Sequence, residues 1–263
     1  MSIGYEGYVK VGGVWTLGTG ASASKGIQRI DSSGGYGGKI TGAGVMGVGS
    51  PHIDDWTAWD GSCEFELTDG VFSVLKAKIV TSRDDPMSIT FSSRTNNEQT
   101  FSGAYWNSIN LTTSEASVVT GTVGFVAMDR TTYTYGTDTV RSAGLTGGLG
   151  LVPIPYWNTS IGSYKFIEWS IDFAQDVVKF FACNKAIGPQ APAYYGVGPV
   201  TATLTGSYIY GGEMDDSPGD LTVTIGAGSI TLLKAEVQSS SDDVAQGNSL
   251  TPIKVVVNAY DVG

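Results

Sequence analysis

The chain is short of the residues that carry chemistry. Among 263 residues there is one histidine, His52, and there are two cysteines, Cys63 and Cys183. A single histidine excludes multi-histidine zinc and iron sites. It also makes any Ser-His-Asp triad depend on a residue in a Gly/Pro-rich loop. Cys63 as a nucleophile would need that same His52, and it opens an alternating strand pattern, which is a packing position. Two cysteines make no disulfide framework, so buried free thiols are expected. Charged residues are 15% of the chain, against roughly 25% in ordinary soluble domains. With a formal net charge of −10 and no basic run, a nucleic-acid grip is excluded, because that needs clustered Lys and Arg. No stretch approaches about 18 uninterrupted apolar residues, so no membrane-spanning helix is expected. The opening MSIGYEGYVKVGGVW lacks the charged and apolar regions of a signal peptide, and synthesis in a cytoplasm is expected.

What the chain does have is apolar and aromatic weight. Hydrophobic residues make up 41%, aromatics 11%, and there are 37 glycines. That is enough for a large core and unlike a disordered chain. Cys63–Thr68 alternates, with Phe65 and Leu67 on one face and Glu64 and Glu66 on the other. Ser117–Met128, Val200–Gly212, Asp220–Val237 and Ile253–Val262 are rich in β-branched and aromatic residues, and Gly, Asn, Asp and Pro clusters separate them. Turns are expected at Asn96–Gln99 and Ser217–Asp220. Asp172–Ala186 places Phe173, Val177, Phe180 and Phe181 at helical spacing, so a strand running into a short helix is expected there. The Gly-rich tract Ser142–Pro153 near the midpoint suggests a boundary. Weak internal similarity pairs Gly103–Ala127 with Leu232–Tyr260, Trp59 with Trp169, and Glu64–Gly70 with Thr201–Ser207, as expected of a duplication.

The remaining candidates for chemistry are weak. Acidic pairs at Asp54-Asp55, Asp84-Asp85, Asp215-Asp216 and Asp242-Asp243 sit beside Ser, Pro or Gly and read as turns. None has the spacing of a calcium loop, and none suggests a glycosidase more strongly than a turn. Lys39 in GGKIT is followed by Ile40, not by the Ser or Thr of a phosphate loop. Trp56, Trp59, Trp106, Trp157 and Trp169 could form a sugar platform, which keeps a carbohydrate-binding β-sandwich open as an alternative. Aromatics in alternating strands, however, more often serve cores and interfaces. No catalytic residue, metal site or cofactor is expected.

The segment IPYWNTSIGSYKFIEWSIDFAQDVVKFFACNK, with PQAPAYYGVGPVTATLTGSYIY and the closing KAEVQSSSDDVAQGNSLTPIKVVVNAY, resembles the tail tube (major tail) proteins of long-tailed bacteriophages. The likeness covers most of the second half and, more faintly, Trp59–Arg130. It implies a mainly β protein with two tandem β-sandwich or barrel-like tail-tube domains, at 1–143 and 144–263, with a short helix and long loops. It further implies a structural virion protein, made in the host bacterial cytoplasm and located in the tail. Three chains would form a pseudo-hexameric ring that stacks into a tube. Its partners would be other tail proteins (tape measure, terminator, baseplate or sheath), with DNA passing through unbound and no membrane contact. On that reading Glu64, Glu66 and Asp172, opposite apolar strand neighbours, are the candidates to face the lumen.

Overall fold

The computed structural model describes residues 7–28, 38–40, 46–48, 56–92, 97–135, 151–180, 194–210, 214, 219–242 and 252–263. Strands dominate. Gly7–Val11 (β1) and Val14–Gln28 (β2) form a hairpin, and Gly38–Ile40 (β3) pairs with Met46–Val48 (β4) as a separate small sheet. Trp56–Glu66 (β5) leads into the helix Asp69–Val80 (α1), followed by Met87–Ser92 (β6), Asn97–Ser114 (β7) and Thr120–Tyr135 (β8). A single 3-10 turn at Tyr156–Asn158 precedes Thr159–Ile161 (β9), Lys165–Phe180 (β10) and Tyr194–Tyr210 (β11). The chain ends with Gly219–Ile225 (β12), Gly228–Asp242 (β13), Ile253–Ala259 (β14) and Asp261–Val262 (β15).

One antiparallel sheet takes in every strand except β3 and β4. Six strands in the order β6-β1-β2-β5-β8-β7 close into a barrel, because β6 also pairs with β7. The C-terminal part of β7, Ser108–Ser114, then pairs with Ala174–Glu168 of β10. From this seam the sheet continues β10-β11-β14-β13-β12-β9.

The strand order is the same in both directions from the seam. It runs through β8 or β11, β5 or β14, β2 or β13, β1 or β12, and β6 or β9. The registers agree as well. The seam centres on Leu111 opposite Ile171; Leu111 faces Gly121, which faces Phe65, while Ile171 faces Leu204, which faces Val257. β7 has a bulge between Trp106 and Ser108, and β10 has one between Phe166 and Glu168. β2 has a bulge between Gly18 and Gly20, and β13 has one between Val237 and Ser239. Bulges re-aim side chains and fix register, so the matching pairs relate the two sides by a local two-fold axis through the seam.

The two sides differ at their closure. β6 makes a ladder with β7, whereas β9 makes a bridge from Ile161 to Tyr164, just before β10, and meets β10 through the bond from Trp169 Nε1 to Thr159 Oγ1 at 3.3 Å. They also differ in chain order: β1–β2 precedes the central hairpin β7–β8, but β12–β13 follows β10–β11.

Helix α1 ties the sides together. Thr68 caps it by accepting from Val71 N, and Val71, Phe72, Leu75 and Ile79 are buried. Asp69 in its first turn accepts from Ala227 N at 2.9 Å, in the β12–β13 turn. Just beyond the helix, Arg83 donates to Asp261 Oδ1 at 2.9 Å and to Val262 O at 2.8 Å. The halves expected at 1–143 and 144–263 meet in one cluster of buried side chains that includes Phe65, Leu111, Ile171 and Val257.

Several expectations are corrected. Asp172–Phe180 is strand throughout, with Ile171, Phe173 and Gln175 buried in alternation; residues 181–186 lie outside the described residues. The helix is α1 instead. Asn97–Gln99 belongs to β7 and Gly219–Asp220 to β12, so these parts of the expected turns are strand; Asn96, Ser217 and Pro218 lie outside the described residues. The structural correspondence pairs β7–β8 with β10–β11, not with the closing strands.

Candidate functional site

Alternation along β5 and β10 sends Phe65, Leu67, Ile171 and Phe173 into the core. Glu64, Glu66 and Asp172 are therefore left on the opposite face, and the registers bring all three onto it together. Glu64 lies opposite Thr122, Thr122 opposite Asn110, and Asn110 opposite Asp172. The row continues through Thr203 and Asn258 to Glu236. Glu66, Thr120, Thr112, Ser170 and Thr205 form the neighbouring row. The face spans eight strands, β2-β5-β8-β7-β10-β11-β14-β13. At about 4.8 Å per strand step it is roughly 34 Å wide.

This surface is hydroxyl-rich and acidic. Asn110 Nδ2 donates to Asp172 Oδ1 at 2.6 Å and to Ser170 Oγ at 2.8 Å. Thr203 and Asn258 share a bond at 3.0 Å. Ser207 Oγ donates to Glu168 Oε1 at 2.8 Å. The Glu64 carboxylate lies over β2, where a Cβ added to Gly20 would be 3.1 Å from Oε2. A cleft of about 710 Å³ opens on this face beside the β7–β8 turn, between Ser117, Glu168, Ser207 and Lys254. Among the described residues Lys254 lies on this stretch with Glu64, Glu66, Glu168, Asp172 and Glu236.

Both ends of the face present strand edges. β1 pairs with β2 only as far as Gly18, and β12 pairs with β13 only as far as Ala235. Among the described residues nothing pairs with the outer edges of Thr19–Gln28 and Glu236–Asp242. Exposed Ser22, Ser24, Ser239 and Ser240 lie along them.

The groups considered for chemistry are dispersed or buried. Cys63 is fully buried, and desolvation pushes its thiol up to about 12 despite a backbone hydrogen bond with Val123. Its thiolate is not populated near neutral pH. His52, Cys183, Asp54, Asp55, Asp215, Asp216 and Asp243 lie outside the described residues. Asp84 and Asp85 sit in the turn after α1, where Asp85 N donates to Ser82 O. Among the described residues no three His, Cys, Asp or Glu side chains gather as a metal site, and no helix is long and apolar enough to cross a membrane.

Among the described residues the tryptophans do not form a shared platform, and the Trp56 side chain lies outside them. Trp106 and Trp169 are core residues, and Trp59 packs edge-on against Phe101 at 5.9 Å. Trp157 is 78% exposed, at the mouth of a 270 Å³ pocket lined by Tyr156, Tyr164 and Lys165. Tyr156 is fixed there by its hydroxyl, which donates to Phe166 O.

Sequence reasoning missed the edges and the arm that β10 and β11 form beyond their neighbours. Neither has a local signal, since an edge is defined by what fails to pair with it. No protein-family model and no curated protein matches this chain.

Proposed function

We propose that this chain is a structural virion protein that self-assembles into stacked rings, forming a phage tail tube through which DNA is delivered. The observation that carries this reading is the eight-stranded polar face, acidic in sign and open at both edges. Open edges are templates for pairing with another chain, and monomers usually suppress them. Eight is an even number, so β2 and β13 run antiparallel at the two ends of the face. Rotating one copy onto the next sets β13 beside β2 in antiparallel register, so a ring closes without a parallel mismatch. Three chains, each contributing two barrel-like halves, make the proposed ring. Because β7 and β10 run antiparallel at the seam, successive halves would alternate in direction around it.

Glu64, Glu66 and Asp172 would face the lumen. Duplex DNA carries one charge per about 1.7 Å of axis, so cationic contacts repeated in every ring would retain it. An acidic wall repels the backbone and keeps it moving. Other tail proteins would cap and fill the tube, and no cofactor is required.

Electron microscopy of the purified protein tests this reading. Rings or tubes with these acids lining the bore are expected; a monomer at all concentrations refutes it. Glu64→Lys with Glu66→Lys should preserve tubes and slow DNA passage in a salt-dependent way. A second reading, a carbohydrate-binding module, rests on exposed Trp157 and its pocket. It predicts that saccharides quench the Trp157 fluorescence and that no rings form.

A further inference from the structure

β10 and β11 outrun their neighbours. The β7 ladder stops at Ala174 and the β14 ladder at Ala202. Beyond them, among the described residues, Gln175–Phe180 and Tyr194–Val200 pair only with each other. An isolated two-stranded ribbon is marginally stable in water, so what it rests on matters. One face of this arm lies on the outside of the barrel, over the row Asp60–Val126–Tyr105. The Tyr195 ring packs on Tyr105 with centroids 4.8 Å apart. Tyr195 and Val126 are buried with Val177 in a small cluster separate from the main core. Lys179 Nζ reaches Asp60 Oδ1 at 3.5 Å, and Gln175 Nε2 donates to Trp106 O at 2.7 Å.

This docking is imperfect. Gln175 Oε1 and the Tyr195 hydroxyl are buried with no hydrogen-bond partner. Burial, with Asp60 and Tyr105 nearby, pushes the Tyr195 phenol up to about 12. Each unmet group weakens the docking wherever the arm is seated, within one chain or between two, and so eases its release. A bulge between Gln175 and Val177, opposite Val200 and Val197, marks where the arm leaves the sheet. The arm's other side is exposed, with Val178 at 51% and Phe180 at 41% alongside Asp176.

We propose that the β10–β11 arm exchanges between copies, leaving its own barrel at the Gln175–Val177 bulge and docking on the Asp60–Val126–Tyr105 row of a second copy of this chain. The partner is a second copy because the surface the arm covers is the one it fits. Every contact broken within one chain is remade between two, which is the low-cost route of an exchanged element. The inference rests on the self-assembly reading and names a contact that such assembly would use.

The test mixes two single variants, Tyr105→Cys and Tyr195→Cys, each in a Cys183→Ser background with buried Cys63 retained. Mild copper–phenanthroline oxidation follows, and size separation divides assembled from monomeric material. Val126→Cys with Val177→Cys is a second, independent pair. The expected result is a disulfide-linked dimer of the two variants in the assembled fraction and none in the monomer fraction. Assemblies that yield no such dimer, while the double variant links within one chain, overturn the exchange and leave self-assembly standing. A protein that never assembles overturns both.

Discussion

The two sides of the β7–β10 seam share strand order, register and bulge positions, yet only one is a closed barrel. On the first side β6 forms a full ladder with β7. On the second, three-residue β9 makes one bridge to Tyr164, just before β10, and one side-chain bond from Trp169 to Thr159. The open side is completed by parts of the first: α1 covers the β12–β13 turn through Asp69, and Phe72 lies against Gly228. A sheet that does not close on itself must be covered to bury its apolar face, and the helix inserted between β5 and β6 supplies that cover. The lesson is that topological equivalence does not confer equal independence.

The sharpest way to break this comparison is to empty matched core positions. Phe125 and Tyr208 stand at equivalent bulges. Phe125→Ala and Tyr208→Ala should each destabilise by about 3–5 kcal/mol. Both should shift one common denaturant transition, read by tryptophan fluorescence and circular dichroism. Two separate transitions would mean that the open side unfolds alone and that α1 is not the bond between the sides.

The next effect is at the helix–turn contact. Gly226 has φ +59°, and an added Cβ would fall 2.0 Å from Asp69 Oδ1. Gly226→Ala should cost about 1–2 kcal/mol from left-handed backbone alone, and more from the overlap. At the matching β1–β2 turn, a Cβ added to Gly12 (φ +55°) would fall 2.5 Å from Cγ1 of the β-branched Val74, an overlap with carbon that breaks no hydrogen bond, so Gly12→Ala should cost less. Equal losses in thermal melts would remove the asymmetry.

A smaller effect of opposite sign is expected at the arm. Tyr195→Phe deletes a buried hydroxyl that has no partner, so stability should be unchanged or rise by up to about 1 kcal/mol. A loss above that range would show that the hydroxyl is bonded. In the parent protein the folded phenol ionises above its unfolded value. That contribution is present below about pH 10 and fades as pH rises toward about 12. The pH dependence above 10 should weaken in Tyr195→Phe.

The smallest effect is at Arg83–Asp261. The Val262 N–H and Arg83 hold the Asp261 carboxyl below its usual range. The pair is partly exposed, so Arg83→Ala should cost about 0.2–1 kcal/mol at neutral pH. A depressed carboxylate stabilises above its unfolded pKa, and the contribution is lost as pH falls through the folded value. The difference between Arg83→Ala and the parent should therefore shrink below about pH 4. A constant difference would assign the cost to the bonds that Arg83 donates to Val262 O and Ile79 O.

Strand identity was legible because it is local. Phe65 and Leu67 alternate with Glu64 and Glu66, and the same alternation put Asp172 on the face opposite Ile171 and Phe173. The helix was misplaced because Val71, Phe72, Leu75 and Ile79 include the β-branched residues that also favour strands, although Thr68 and Asp69 carry an N-terminal signal. Phe173, Val177, Phe180 and Phe181 match helical spacing, but Ile171, Phe173 and Gln175 also match a period of two, and pairing with β11 decides between them. The sequence by itself determined the β class, the scarcity of reactive groups and the sign of the polar face, because composition and alternation are properties of neighbours along the chain. Only the tertiary structure decided that Glu64 and Asp172 share a row, that β7 meets β10 antiparallel, and which edges stay open, because register comes from contacts between residues far apart in sequence, which no local pattern encodes.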